Sequence, residues 1–106
     1  MADVATTKLF ENDRVIVWEM LLEPGESTGV HTHEHEYFFH VLDGSTLGTT
    51  DAEGNPTGDF DFETGSTNWI NVEGGEVVLG DLRAPATHDA KNIGTTRYRE
   101  ILVEFK

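Results

Sequence analysis

Apolar residues recur at every second position through most of this chain, and turn-forming residues interrupt them at short intervals. In the segment RVIVWEMLLE, residues Ile16, Trp18, Met20 and Leu22 share one parity and form an apolar face. This alternation is typical of a β-strand, whose successive side chains point to opposite faces. No segment carries the sustained apolar stripe of a helix. We therefore expect roughly eight to ten short strands, arranged as a sandwich or a small barrel.

Length and charge narrow the class of protein. The chain has 106 residues, which predicts one domain over residues 1–106, because a chain this short builds a single hydrophobic core. Its formal net charge of −13 opposes binding to nucleic acid or to an anionic membrane surface. The first residues lack the apolar run of a signal peptide or a membrane span, so a cytoplasmic protein is expected. Because cysteine is absent, nitrogen and oxygen atoms would have to hold any metal.

Four of the five histidines fall within the stretch GVHTHEHEYFFH, which covers residues 29–40. His31, His33 and His35 share a parity with Tyr37, so a regular strand would present all four side chains on one face. Alternate Cα atoms of a strand lie about 7 Å apart, which lets two imidazoles reach one ion at about 2.0–2.1 Å. The stretch is therefore either half of a metal site or a polar edge strand rich in imidazole.

The fifth histidine, His88, lies in the segment RAPATHDAKNIG, where a short strand can run beside the first one. With it, the spacing of glycines and histidines resembles the two motifs of the cupin superfamily. The residues that carry this resemblance are Gly25, His31, His33, Gly44, His88 and Asn92. Small cupins assigned to β-alanine degradation look similar, and the resemblance runs from about Val15 to Phe105.

The resemblance implies an all-β fold, with one cupin domain built as a barrel or jelly roll of antiparallel strands. It also implies one divalent transition metal ion, with His31, His33 and His88 at the three histidine ligand positions. Asn92 would then have a structural role near the end of the strand that carries His88.

Two features depart from the cupin pattern. Cupins commonly place a glutamate ligand at the position that Tyr37 occupies, whereas Glu36 comes one residue early and by parity faces away from the histidines. Pro85 stands where a glycine is expected before His88. Whether Glu36, His35 or Tyr37 adds a fourth ligand stays open.

A site of three neutral imidazoles leaves the double positive charge of an ion uncompensated, which favours a small anionic or chelating ligand such as a carboxylate or a dicarbonyl. Zn, Fe and Ni all suit imidazole, so the sequence does not choose the metal. Iron would support reactions with dioxygen, and zinc or nickel would polarise a carbonyl for isomerisation, cyclisation or hydrolysis. Tyr37 is the candidate catalytic residue, as a hydrogen-bond donor or proton shuttle, and its alternative role is packing inside the barrel.

Two functions from different classes follow. The first is a metalloenzyme that acts on a small carboxylated or dicarbonyl metabolite. It would be either a dioxygenase or an enzyme of the isomerase or hydrolase type. The second is a non-catalytic module that binds a small ligand for sensing or storage. In both cases a homodimer is expected, because a small open barrel leaves edge strands that need covering.

Other residues are assigned to packing or to the surface. The predicted core residues are Trp18, Met20, Phe38 and Trp69. The closing segment RYREILVEF has an apolar face made by Ile101, Val103 and Phe105. Arg83 either clamps a carboxylate near the barrel mouth or pairs with a neighbour such as Asp81, and His40 is expected to be a packed or surface residue.

Overall fold

The computed structural model describes residues 1–106, and every regular element of it is a β-strand. In chain order the strands are β1 (Thr7–Glu11), β2 (Val15–Leu22), β3 (His31–Thr32), β4 (Tyr37–Asp43), β5 (Ser45–Thr50), β6 (Pro56–Phe62), β7 (Thr67–Glu73), β8 (Glu76–Leu79), β9 (Leu82–Pro85), β10 (Thr87–Asn92) and β11 (Tyr98–Phe105). The count exceeds the expected range because a turn at Gly80, with φ of +59°, divides the apolar segment EVVLGDL between β8 and β9. The structure has no helix with the length and hydropathy that crossing a membrane requires.

The strands form two sheets. The larger sheet has the order β1-β2-β11-β4-β7-β8-β9, and the smaller has the order β3-β10-β5-β6. Every paired neighbour in both sheets is antiparallel. The prediction of an all-β fold of antiparallel strands is therefore confirmed.

The hydrophobic core lies between the two sheets. Most of its members come from β2, β4 and β11 of the larger sheet, and Leu47 on β5 joins them from the smaller one. On β2 the side chains of Trp18, Met20 and Leu22 are buried, as the alternation in RVIVWEMLLE predicts. The period-two pattern thus identifies the inner face of this strand correctly.

The histidine-rich stretch of residues 29–40 does not form one regular strand. β3 ends at Thr32 and β4 begins at Tyr37, with no strand between them. The reason is that β3 pairs with β10 in the smaller sheet, whereas β4 pairs with β11 and β7 in the larger one. Residues 33–36 carry the chain across from one sheet to the other.

The inner face of β11 is the one that looks less apolar in the sequence. Its buried side chains are Tyr98, Glu100, Leu102 and Glu104, whereas Ile101, Val103 and Phe105 lie half-buried on the outer face. The sequence pattern draws attention to the three apolar residues, but pairing with β2 and β4 turns the other parity inward. Two carboxyl groups are therefore enclosed in the core.

The prediction of core aromatic residues is only partly right. Trp18 and Met20 are buried, but Trp69 is 47% exposed and Phe38 is half-buried. Phe38 and Trp69 are paired across β4 and β7, and their rings stack at 6.0 Å between centroids. They lie on the outer face because Phe38 has the opposite parity to buried Tyr37 and Phe39.

A glycine joins β4 to β5 at a point where the backbone approaches a neighbouring segment closely. A Cβ atom on Gly44 would lie 2.7 Å from the amide nitrogen of Thr64 and would clash with the carbonyl oxygen of Phe62. Only glycine leaves room for this contact.

Asn92 ties together three parts of the chain from the end of β10, and its side chain is only 1% exposed. Its Nδ2 atom donates to the carbonyl oxygens of Leu22 at 2.9 Å and Thr96 at 2.8 Å. Its Oδ1 atom accepts from the Ser45 hydroxyl at 2.8 Å and from the amide of Gly94 at 3.0 Å. Every hydrogen-bonding direction of the amide is used, which supports the structural role expected for this residue.

Replacing Asn92 with alanine is expected to lower the free energy of unfolding by about 3 kcal/mol, because buried carbonyl groups lose their donors. The matched control is Asn68→Ala, since Asn68 is half-buried and donates one side-chain hydrogen bond, to the Ser66 hydroxyl at 3.2 Å. We expect the control to lose at most about 1 kcal/mol. Urea unfolding followed by circular dichroism measures both, and equal losses would contradict the role given to Asn92.

Candidate metal centre

Three histidines meet where the two-residue strand β3 pairs with β10. His31 is the direct cross-strand partner of His88, and His33 follows immediately after β3. A backbone hydrogen bond from the amide of His33 to the carbonyl of Ala86, at 2.9 Å, continues the pairing past the end of the strand. All three imidazoles are buried, with exposed fractions of 1% for His31, 4% for His33 and 6% for His88.

The three rings converge on one point. One nitrogen from each lies within 4.8 Å of the others, and Nε2 of His31 is 3.1 Å from Nε2 of His33. Ring centroids are separated by 4.8 Å for His31 and His33, 4.8 Å for His31 and His88, and 5.0 Å for His33 and His88. Two nitrogens bound at about 2.0–2.1 Å to a tetrahedral ion lie about 3.3 Å apart, so the spacing suits a shared ion.

Backbone carbonyls set the orientation of two of the rings. Nδ1 of His31 donates to the carbonyl oxygen of Gly29 at 2.9 Å, and Nδ1 of His88 donates to that of Pro85 at 2.6 Å. In a neutral imidazole the other nitrogen then carries the lone pair. Such hydrogen bonds fix the tautomer and the direction of metal-binding histidines, and here they leave Nε2 of both rings available as a ligand atom.

The neutral form of the three rings is the favoured one. Burial lowers the pKa of His88 to about 4 and also lowers the pKa of His31. Burial, together with the nearby His31 and His88, lowers the pKa of His33 well below its ordinary value. Neutral imidazole is the form that binds a metal, so the donor set fits one divalent transition metal ion.

His33 is held differently from the other two histidines. Its Nδ1 atom is buried without a hydrogen-bond partner. Its ring instead stacks on that of Tyr37, with centroids 4.4 Å apart and an angle of 17° between the planes. Packing against an aromatic ring, rather than a second hydrogen bond, sets the orientation of this imidazole.

Tyr37 lies inside the barrel at the start of β4 and is 5% exposed. Burial, with smaller effects from Glu100 and Glu104, raises the pKa of its phenol further above the ordinary value of 10.0. The hydroxyl therefore keeps its proton at neutral pH, which favours a hydrogen-bond donor over a proton shuttle.

The remaining polar residues of the histidine-rich stretch lie outside the cluster. Glu36 is exposed, as its parity predicts, and His35 is half-buried away from the three ligand candidates. His40 faces the outer surface, where its Nδ1 lies 2.8 Å from the Thr67 hydroxyl. No carboxylate joins the cluster of histidine nitrogens.

Asp89 forms its hydrogen bonds with the chain before His31 and not with the ring of its neighbour His88. Its Oδ1 atom accepts from the amide of Gly29 at 3.0 Å and from the Thr28 hydroxyl at 3.3 Å. The Thr28 hydroxyl also lies 3.1 Å from Nδ1 of His31. Asp89 therefore stabilises the turn that precedes and orients His31. Gly29 lies in this turn and has a φ of +81°.

A cavity of about 90 Å³ lies against the histidine cluster and is lined mainly by apolar side chains. Its polar lining comprises His31, His33, Tyr37, Thr49, Arg83, His88 and Glu100. Arg83 is half-exposed and pairs with nearby carboxylates, as expected, although its partners are Glu76 at 3.4 Å and Glu73 at 3.7 Å and not Asp81. The volume is several times that needed for one water molecule, which suits a small metabolite.

Glu100 is a cavity residue that the sequence reasoning missed. It comes from β11, is 3% exposed and accepts a hydrogen bond from the Tyr98 hydroxyl at 2.6 Å. The signal was present in the alternation Tyr98, Glu100, Leu102, since a strand that buries Tyr98 and Leu102 must bury the residue between them. A charged side chain was simply not expected on the inner face.

Solved structures match this fold, although comparisons with protein-family models and with curated protein sequences find no match. A cupin domain from Bordetella pertussis Tohama I matches with a TM-score of 0.69 at 22% sequence identity, over 94% of this chain and 90% of that one. An RmlC-like cupin from Methanocaldococcus jannaschii, described as a double-stranded β-helix, has a TM-score of 0.60 at 14% identity, over 93% and 76% of the two chains.

Enzymes are among the structures with this fold. A polyketide cyclase from Streptomyces resistomycificus has a TM-score of 0.59 at 20% identity, over 92% of this chain and 61% of that one. The two antiparallel sheets and these matches define the class of structure. The chain has the cupin fold, a double-stranded β-helix.

Replacing Glu100 with glutamine is expected to remove a pH dependence of stability. Burial raises the pKa of Glu100 from 4.5 to about 7, so between these values the unfolded chain loses a proton that the folded chain keeps. The free energy of unfolding of the parent protein should therefore fall by about 3 kcal/mol, relative to Glu100→Gln, as the pH rises from 4.5 to 7.

The groups that face Glu100 are Tyr98 on its own strand and Tyr37 on β4, and both phenols keep their protons in this range. Urea unfolding from pH 4.5 to pH 8 in the presence of a chelator measures the effect, with exposed Glu36→Gln as the control. A constant difference between parent and Glu100→Gln across this range would contradict the prediction.

Proposed function

We propose that this protein binds one divalent transition metal ion through His31, His33 and His88 and acts on a small carboxylated or dicarbonyl metabolite. The observation that carries the proposal is the convergence of three buried imidazoles, which favour their neutral form, beside a mainly apolar cavity. Two of these rings have their free nitrogen directed by backbone hydrogen bonds. A polar edge strand would not bury its imidazoles in this way.

An ion at this site would supply a Lewis acid whose charge no carboxylate ligand reduces. Zinc, iron and nickel all suit three imidazole ligands, so both oxygen-dependent and carbonyl-polarising reactions fit the donor set. The chain itself contributes a mostly apolar cavity lining, which lowers the local polarity and strengthens electrostatic interactions with a bound ligand.

The proposed substrate class rests on charge as well as on the donor set. Arg83 is the only cationic residue in the cavity lining, and its two ion pairs, at 3.4 Å and 3.7 Å, are long. An exposed pair of this kind contributes little free energy. Its guanidinium is therefore free to turn towards a carboxylate at the cavity entrance, where it binds in a bidentate manner.

Tyr37 is proposed as the catalytic residue of the cavity. Its ring stacks on His33, so its position is coupled to that of a proposed ligand. A phenol held beside the histidine cluster can donate a hydrogen bond to an oxygen of the substrate as negative charge develops there.

The alternative function is a non-catalytic module that holds a small ligand. The mainly apolar lining of the cavity favours this reading, because few groups other than the histidines, Tyr37, Arg83 and Glu100 are available for chemistry. The polyketide cyclase with the same fold shows that the fold hosts catalysis in another protein.

The homodimer, the cytoplasmic location, the lack of nucleic-acid and membrane partners and the similarity to cupins of β-alanine degradation stay predictions. The stacked outer-face rings of Phe38, Trp69 and Phe105 support self-association, since aromatic side chains are enriched in protein interfaces.

Elemental analysis of tag-free protein is expected to find about one zinc, iron or nickel ion per chain, because three ligands and an open position suit such an ion. Loss of a group that only hydrogen-bonds a metal ligand costs about 10–100-fold in metal affinity. His31→Ala and His88→Ala each remove a proposed ligand itself, so the affinity should fall by more than this. The matched control is His40→Ala, which removes a histidine outside the cluster. Parent protein that stays free of metal after incubation with Fe(II), Zn and Ni would sink the proposal.

Replacing Tyr37 with phenylalanine is expected to leave the metal content unchanged, because the substitution keeps all three histidines of the cluster. With metal-loaded protein and 2,4-pentanedione as the dicarbonyl probe, turnover should fall by about 100-fold. Consumption of the probe followed by its absorbance measures this effect. Equal turnover in both proteins would assign Tyr37 to packing, and a ligand-induced rise in melting temperature without product would favour the binding module.

A further inference from the structure

Two glutamates are enclosed on the inner face of β11, and they have different surroundings. Glu104 is 4% exposed, lies outside the cavity lining and accepts a hydrogen bond from the indole nitrogen of Trp18 at 2.6 Å. Glu100 is 3% exposed and lines the cavity together with the three histidines. Only Glu100 is placed to meet a molecule bound there.

The two oxygen atoms of Glu100 are not equivalent. Oε1 accepts the hydrogen bond from the Tyr98 hydroxyl, whereas Oε2 is buried without any partner. A buried polar atom left unpaired costs about 1–3 kcal/mol. No arginine or lysine pairs with Glu100, since the ion pairs of the protein join other residues at the surface. The hydrogen-bonding capacity of Oε2 is therefore left for an occupant of the cavity.

The chemical group that suits Oε2 follows from the two forms of the carboxyl. Burial raises the pKa of Glu100 to about 7, so the acid and the carboxylate are both accessible near neutral pH. The carboxylate requires a donor and the acid can donate, whereas a hydroxyl group both donates and accepts. A carbonyl would pair only with the acid, and an ammonium only with the carboxylate.

We propose that Glu100 is a specificity-determining residue whose Oε2 atom hydrogen-bonds a hydroxyl group of the bound metabolite. The ligand class is thereby narrowed to small hydroxycarboxylates, with the carboxylate directed to the histidine cluster or to Arg83. This inference rests on the proposed function for the carboxylate part of the ligand, and on Glu100 alone for the hydroxyl part.

The test compares 3-hydroxybutanoate with butanoate, which differ only by the hydroxyl group. Calorimetry on zinc-loaded protein is expected to show about tenfold tighter binding of the hydroxylated probe, the effect of one hydrogen bond to a charged group. The preference should disappear in Glu100→Leu, which also removes the unpaired carboxyl. Glu104→Gln is the matched control and should keep the preference.

Glu100→Gln is the second variant and serves if Glu100→Leu does not fold. It keeps the shape of the side chain and one hydrogen-bond acceptor. It should retain the parent circular dichroism spectrum and bind the two probes with a preference smaller than that of the parent. The proposal is overturned if the parent does not distinguish the probes, if it binds neither of them, or if Glu100→Leu keeps the full preference. In that last case another group of the cavity recognises the hydroxyl.

The same titrations on metal-free protein separate this inference from the proposed function. A hydroxyl preference that persists in a parent protein unable to hold zinc would support the role of Glu100 while sinking the metal site. Stoichiometric zinc with no difference between the probes would keep the metal site and remove the role of Glu100.

Discussion

The pairing of β3 with β10 is the interaction on which the site depends. The strand β3 has only two residues, yet the chain around it is held along the whole of β10. An isolated bridge joins Ser27 to Lys91, the amide of Thr28 donates to the carbonyl of Ala90 at 2.9 Å, and the amide of His33 donates to that of Ala86 at 2.9 Å. Because the register is antiparallel, these contacts place His31 directly opposite His88. A shift by one residue would turn His88 to the other face and dissolve the cluster.

Burial is the second determinant of the site, because it acts on the three histidines, Tyr37 and Glu100 of the cavity lining. It lowers the pKa of the three histidines and raises those of Tyr37 and Glu100, so each group moves towards its neutral form. A chain with a formal net charge of −13 thus surrounds its cavity with five ionisable groups that are shifted towards their neutral forms. Neutral imidazoles are ready for a cation, and a partly protonated carboxyl is ready for a hydroxyl group. The apolar lining makes both interactions stronger than they would be in water.

Sequence patterns predicted the parts of the structure that depend on neighbouring residues. The alternation on β2 gave the correct inner face, and parity placed Glu36 outside the cluster. The prediction of a core position was wrong for Trp69, a large apolar residue whose side chain lies on the outer face of β7. It failed again at Glu100, because the usual cost of burying a carboxyl argues against placing it on an inner face.

By itself, the sequence determined the class of fold, the inner parity of β2 and the group of histidines from which the cluster is drawn. These follow from local spacing, since side-chain direction in a strand depends only on position along the chain. Only the tertiary structure decided which histidines meet, because residues 33–36 cross between two sheets and leave His35 outside while His88 arrives from a distant strand. It alone also decided that Glu100 shares their cavity, since the contact is made by strand pairing between segments far apart in the chain, and residue spacing carries no record of such pairing.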